Sequence, residues 1–124
     1  MRRKCKICIK EIEIICELLN TKTADLIWNK LPIKKKLKTW GKEIYFSCDI
    51  NVDLEDNAKS IISLGEIVYW PDGKFIAIGF GPTPISIKNE IRLAADCNIW
   101  GKTNDSLSGL NAVNNDEFIE ITKI

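Results

Sequence analysis

The chain has no histidine, one methionine, and only three valines and three arginines among its 124 residues. Without imidazole, Ser-His-Asp and Cys-His catalysis are excluded, as is any His-ligated metal site. No apolar run approaches the roughly 18 residues that a membrane-crossing helix needs, and Met1-Arg2-Arg3-Lys4-Cys5-Lys6 lacks the apolar core of an export signal. A cytoplasmic protein with no membrane span is therefore expected. Glycine and proline are sparse, at seven and four, while 28% of residues are charged and 45% hydrophobic, which argues against a fibrous or a disordered chain. The length fits a single domain over residues 1–124.

Five cysteines (Cys5, Cys8, Cys16, Cys48 and Cys97) are an odd number in a chain without export features, so free thiols are expected. Cys5 and Cys8 have the spacing of a metal knuckle, but they fall in a strand-like segment. Three positions along a strand put two side chains on opposite faces, about 10 Å apart. The acidic run Asp49, Asp53, Glu55 and Asp56 lacks the spacing of a calcium loop. Gly79-Phe80-Gly81-Pro82 opens onto prolines and not onto a phosphate-binding helix. No metal, no cofactor and no catalytic residue is read from these features.

Charge is near neutral overall but unevenly placed: residues 1–42 carry a net of +8 and residues 43–124 a net of −7. Mutual attraction of the two halves within one fold is the simplest reading. Lys34-Lys35-Lys36-Leu37-Lys38 would suit a phosphate backbone, yet only Trp40 lies nearby to stack on a base, so nucleic acid is not the expected partner.

Short alternating segments dominate. Strands are expected on either side of a tight turn near Lys10-Glu11, at Glu43–Cys48, at Ile67–Trp70 and Lys74–Phe80, from Asn98 to Lys102, and at Phe118–Ile121. In the Pro71-Asp72-Gly73 hairpin turn, glycine is expected to supply the positive φ. Ala24, Ile27, Trp28 and Leu31 form one helical stripe, capped by Thr21 or Thr23 and ended by Pro32, with Trp28 expected in the core. A second helix or turn is expected over Asn57–Leu64, and a third after a cap at Asp105. Residues 81–97 are expected to form a long loop containing Arg92. Many short strands in one small chain favour closure, which removes exposed edges. The fold expected is mainly β: a closed antiparallel barrel of about eight strands with two or three short helices.

Four ordered blocks carry a family resemblance. Thr39-Trp40-Gly41-Lys42-Glu43-Ile44-Tyr45-Phe46, Gly65-Glu66-Ile67-Val68-Tyr69-Trp70-Pro71-Asp72-Gly73-Lys74, Gly79-Phe80-Gly81-Pro82-Thr83-Pro84 and Asn98-Ile99-Trp100-Gly101-Lys102 are similar to those of short prokaryotic cyclophilin-like proteins. The resemblance spans about residues 23–124, with the first hairpin fitting less tightly. It implies a compact cyclophilin barrel and leaves the activity open, because the members are largely uncharacterised. The larger cyclophilins are peptidyl-prolyl isomerases that use an aromatic pocket and an arginine on a barrel strand. Their Phe-His-Arg-like, Gln-Gly-Gly and Gln-Phe-Phe segments have no counterpart here, and Arg92 is the only arginine beyond the first three residues.

The expectation is therefore a binding module for a proline-containing peptide or a small apolar ligand, with a groove drawn from Tyr45, Trp70, Phe80, Thr83, Pro84 and Arg92. The alternative is a weak prolyl isomerase using Arg92 over an aromatic floor such as Phe80. Oligomeric state is not read from the sequence.

Overall fold

The computed structural model describes residues 2–124. β1 (Lys4–Ile9) and β2 (Ile12–Leu18) form the first hairpin, reversed at Lys10, whose φ is 52°. Alternation decides which side chains enter the core: Cys5, Ile7 and Ile9 from β1, then Ile14, Cys16 and Leu18 from β2, are all buried. Cys8 faces the other way, so the two cysteines of the knuckle-like spacing do not converge. Cys5 is instead directly opposite Cys16 across the ladder, and all five cysteines are free.

Helix α1 (Lys22–Lys30) starts at Thr21, whose hydroxyl accepts the Ala24 N–H at 3.1 Å. Ala24, Ile27 and Leu31 are buried as the stripe requires. Trp28 departs from expectation and is only half-buried. Its ring faces the Arg3 guanidinium and the Lys123 ammonium, 5.4 and 4.7 Å from the ring centroid, so cations cover the side that the core leaves free.

The remaining strands are β3 (Ile33–Lys36), β4 (Lys38–Thr39), β5 (Glu43–Ser47), β6 (Lys59–Ile62), β7 (Glu66–Trp70), β8 (Phe75–Gly79), β9 (Ile91–Lys102) and β10 (Phe118–Lys123). Their order is β3-β10-β1-β2-β9-β7-β8-β5-β4, and every pairing is antiparallel. The outermost members, β3 and β4, are consecutive in the chain and separated only by Leu37. Leu37 exchanges main-chain hydrogen bonds with the β10 side, donating to Glu117 and accepting from Asp116, before the chain crosses to β5. One bent run thus belongs to both edges and brings the sheet nearly to closure. Counted once, it completes a ring of eight staves, with β6 outside the ring and paired to β9.

The barrel is filled by Ile7, Ile9, Ile14, Ile44, Phe46, Ile67, Tyr69, Ile76, Ile78, Trp100 and their neighbours. Trp100 occupies the irregular step where β9 slips one residue against β7, and its indole N–H donates to the Val68 carbonyl at 3.1 Å. One helix and a 3-10 turn (Ser108–Ala112) account for the helical content.

Three local expectations are corrected. Asn57–Leu64 contains strand β6 and no helix: β-branched Ile61 and Ile62 pair with Arg92 and Ile91 of β9. Asp105 does not cap the 3-10 turn, because its carboxylate accepts the Ile15 N–H at 2.7 Å on β2. The hairpin turn puts its positive φ on Lys74 (57°) and not on Gly73. Gly73 is needed for space, since a Cβ there would lie 2.4 Å from the Trp70 ring and 2.8 Å from the Phe75 ring.

Ion pairing also differs from the halves-attract picture. Among the described residues, only Lys10–Glu117 and Lys38–Asp116 join the basic and acidic halves, whereas Lys59–Glu66, Lys74–Asp49 and Arg92–Glu90 lie within the acidic one. Three pairs, Arg2–Glu17, Arg3–Asp25 and Lys6–Glu13, lie within the basic half itself.

Candidate functional site

Side chains on the inner face of β5, β7 and β8 fill the barrel, so the alternate positions point outward. That outer face carries Glu43 and Tyr45 from β5, Val68 and Trp70 from β7, and Phe75 and Ala77 from β8. It is not left to solvent. The first half of β9 runs on beyond its pairing with β7 and, with β6 as its partner, forms a two-stranded arm. Ile62, Ile91, Leu93 and Cys97 of this arm pack with Val68, Ala77 and Ile99 into a second apolar cluster.

Between the arm and the outer face is a cleft of about 240 Å³, lined by Trp40, Glu43, Tyr45, Trp70, Phe75, Ala77, Leu93, Ala94, Ala95 and Cys97. Four aromatic rings contribute, two of them in edge contact: Tyr45 and Phe75 lie 5.1 Å apart at 80°. Trp70 tilts against Phe75 at 6.1 Å, over the space that Gly73 leaves.

The one carboxylate in this lining is Glu43. It is 8% exposed, its Oε1 is shut off from solvent, and that oxygen has no hydrogen-bond partner among the described residues. Burial away from water pushes its acid up to about 7. Across the cleft, burial first and the Glu43 charge second push the Cys97 thiol up to about 12. Cys97 is thus a thiol and not a nucleophilic thiolate near neutrality.

The six groove residues expected from the sequence are only partly brought together. Tyr45 and Trp70 line the cleft. Phe80 lies in a separate depression with Thr39, Gly41, Lys42, Leu110, Asn111 and Val113. Thr83 is buried and Pro84 exposed, both in the segment folded against the turn at Gly41. Gly41 has φ +58°, and a Cβ there would meet Thr83 Cα and Pro84 Cδ at 2.9 Å. That close approach seats Pro82, Thr83 and Pro84 against the Gly41 turn, and none of the three lines the cleft. Arg92 is in strand β9 and not in a long loop, because β9 begins at Ile91. Leu93 next to it lines the cleft; the Arg92 guanidinium instead grips both Glu90 oxygens, at 3.0 and 3.1 Å.

Glu43, Phe75 and Leu93 were not among the expected groove residues. The visible signal was the alternation Glu43-x-Tyr45-x-Ser47 opposite Gly79-x-Ala77-x-Phe75, a mixed face too apolar for plain solvent exposure.

A family model described as cyclophilin-like matches residues 3–122. The chain belongs to the cyclophilin-like family. The match includes the first hairpin, so it reaches further than the four sequence blocks. This cyclophilin-like chain is also similar to a hypothetical protein from Archaeoglobus fulgidus known from its solution structure. The two are 34% identical with a TM-score of 0.83, over 99% of this chain and 95% of that one. No curated protein matches it.

The lysine run of this cyclophilin-like barrel lies on β3 beside β10. There Phe118, 54% exposed, has the Lys34 and Lys36 ammonium groups 5.3 and 5.7 Å from its ring centroid. Glu120 sits opposite Lys34 in the same ladder. The ring is thus occupied by the protein's own cations, with a carboxylate among them.

Proposed function

We propose that this cyclophilin-like barrel binds a small, predominantly apolar molecule in the cleft between β5, β7, β8 and the β6–β9 arm, and performs no chemistry on it. The observation that carries the reading is the lining: four aromatic rings and the aliphatic side chains of Ala77 and Leu93 around one carboxyl. Ligand sites generally have this make-up, apolar walls with a few placed polar groups. An apolar cavity of ~150 Å³ is enough for benzene, so a ring-sized ligand fits a cleft of about 240 Å³.

A prolyl isomerase would need donors on the prolyl amide as it twists. Arg92, the one candidate, is held by Glu90 outside this cleft, and no lysine substitutes for it in the lining. Binding without isomerisation is accordingly the reading favoured here.

The test is an amide chemical-shift titration of the full chain with ring-bearing fragments, run beside a prolyl-isomerisation assay. Shifts concentrated at Tyr45, Trp70, Ala77 and Leu93, with no acceleration of the isomerisation, are the expected result. Fragments that leave those resonances unmoved, or acceleration abolished by Arg92→Ala, would overturn the reading.

A further inference from the structure

The orphaned carboxyl identifies what the ligand has to bring. A carboxylate taken out of water is costly unless a donor or a cation meets it. Glu43 is nine-tenths buried with Oε1 unpartnered, and none of the cleft-lining residues is basic. The other titratable groups facing the cleft are the Tyr45 phenol on β5 and the Cys97 thiol on β9; β7 and β8 present only Trp70, Phe75 and Ala77. Among the described residues, then, nothing positive lines this site.

The walls point the same way. Aromatic faces attract cations as well as apolar groups, most of all where water is thin. Trp40, Tyr45, Trp70 and Phe75 surround the space beside the carboxyl. We propose that the cleft recognises a small organic amine in its protonated form. Its N–H groups would meet the Glu43 carboxylate, and its hydrocarbon or aromatic body would lie against Trp70, Phe75 and Leu93. This rests on the ligand-binding reading above and assigns the ligand its class.

Competing classes fit less well. An anionic ligand would set a second negative charge beside Glu43. A neutral alcohol could donate one hydrogen bond but would leave the charge uncompensated. A quaternary ammonium has no N–H to give the carboxylate. A bare metal ion would find one carboxylate and a protonated thiol, and no group of three or more acidic or thiol side chains suited to a metal exists among the described residues.

Three probes of similar shape separate these outcomes: 2-phenylethylamine, 2-phenylethanol and 3-phenylpropionate, titrated into the full chain at pH 8 and pH 5.5 with amide shifts as readout. The amine should bind at least ~10-fold more tightly than the alcohol at pH 8, as a charge-assisted hydrogen bond requires, and the acid most weakly. The preference should shrink at pH 5.5, where Glu43 is protonated. Glu43→Gln should abolish the amine's advantage over the alcohol and its pH dependence.

Equal binding of amine and alcohol, or a preference that survives Glu43→Gln, overturns the amine assignment and leaves the cleft a binding site. Failure of all three to move the cleft resonances overturns both readings. The pH dependence is measured on the unaltered chain, so the assignment stays falsifiable even if the variant folds poorly.

Discussion

The Thr83 hydroxyl donates to the main-chain carbonyl of Arg92, tying the segment after β8 to the start of β9. Ser86 completes the knot: its hydroxyl accepts the Thr83 N–H at 2.8 Å and the Arg92 N–H at 3.3 Å. With its main chain fixed in this way, Arg92 is committed to the strand and presents Leu93, its neighbour, to the cleft. The one arginine that could have served an isomerase is thus anchored at its main chain by a buried threonine and at its guanidinium by Glu90.

Thr83→Val removes that donor and keeps the shape. A buried carbonyl left short of a partner costs about 1–3 kcal/mol. Urea unfolding should show a loss in this range, and amide exchange should quicken from residue 83 to residue 92 more than elsewhere. An unchanged midpoint would mean that the Thr83 bond does not hold this segment.

Gly73→Ala tests the packing beneath the cleft. Gly73 has no positive φ, so the cost is steric: its new Cβ would lie 2.4 Å from the Trp70 ring. Relief requires Trp70 and Phe75 to move, at about 1–3 kcal/mol as for other overpacked sites. The variant is expected to stay folded with shifted Trp70 resonances and weaker binding of every ring-bearing probe. Wild-type binding by a folded Gly73→Ala protein would disconnect this turn from the site.

Glu43 also makes a stability prediction independent of any ligand. Its folded acid titrates at about 7 against an ordinary value of 4.5, because burial disfavours the charge. In that interval the folded state holds more protons than the unfolded one, so stability falls as pH rises and levels off above the folded value. The shift corresponds to about 3 kcal/mol. Glu43→Gln should be more stable than the parent at pH 8, close to it at pH 4.5, and free of the slope between. Parallel stability profiles for the two proteins would show that Glu43 is not desolvated as described.

Where neighbours in sequence set the environment, the residues were readable. The Ile67–Trp70 and Lys74–Phe80 segments pair as their alternation and turn chemistry require, and Thr21 caps α1 as its position suggests. The cleft was not readable in the same way, because its roof is a non-local pairing. Ile91-Arg92-Leu93-Ala94-Ala95 has weak strand character, and its partner β6 is a four-residue strand in a polar stretch, so neither identifies the other. Without the arm, Glu43 and Tyr45 are an ordinary outward face of an edge-proximal strand. With it, the same two residues are enclosed. Arg92 moved from loop to strand for the same reason.

Asn98 makes the last prediction: it is a buried side chain that anchors the later part of the irregular segment after β5, whose start is held by the Tyr69 hydroxyl on the Cys48 and Ile50 carbonyls. Its amide nitrogen donates to Thr23 Oγ1 at 3.0 Å and to the Asp53 carbonyl at 2.9 Å, while its oxygen accepts the Glu55 N–H at 2.8 Å. Asn98→Leu strands the Asp53 carbonyl and the Glu55 N–H, while the Thr23 hydroxyl keeps its bond to Glu55 Oε1, and should cost about 3 kcal/mol. Asn98→Asp is more discriminating. At neutral pH it keeps the acceptor for Glu55 but turns a negative oxygen toward the Asp53 carbonyl, a repulsion that raises its folded acid above the ordinary range. Protonation would restore a donor, so part of the lost stability should return between pH 7 and pH 4.5. Urea unfolding at those two values decides it: a deficit that does not narrow on acidification would mean that the Asn98 nitrogen is not the atom anchoring Asp53.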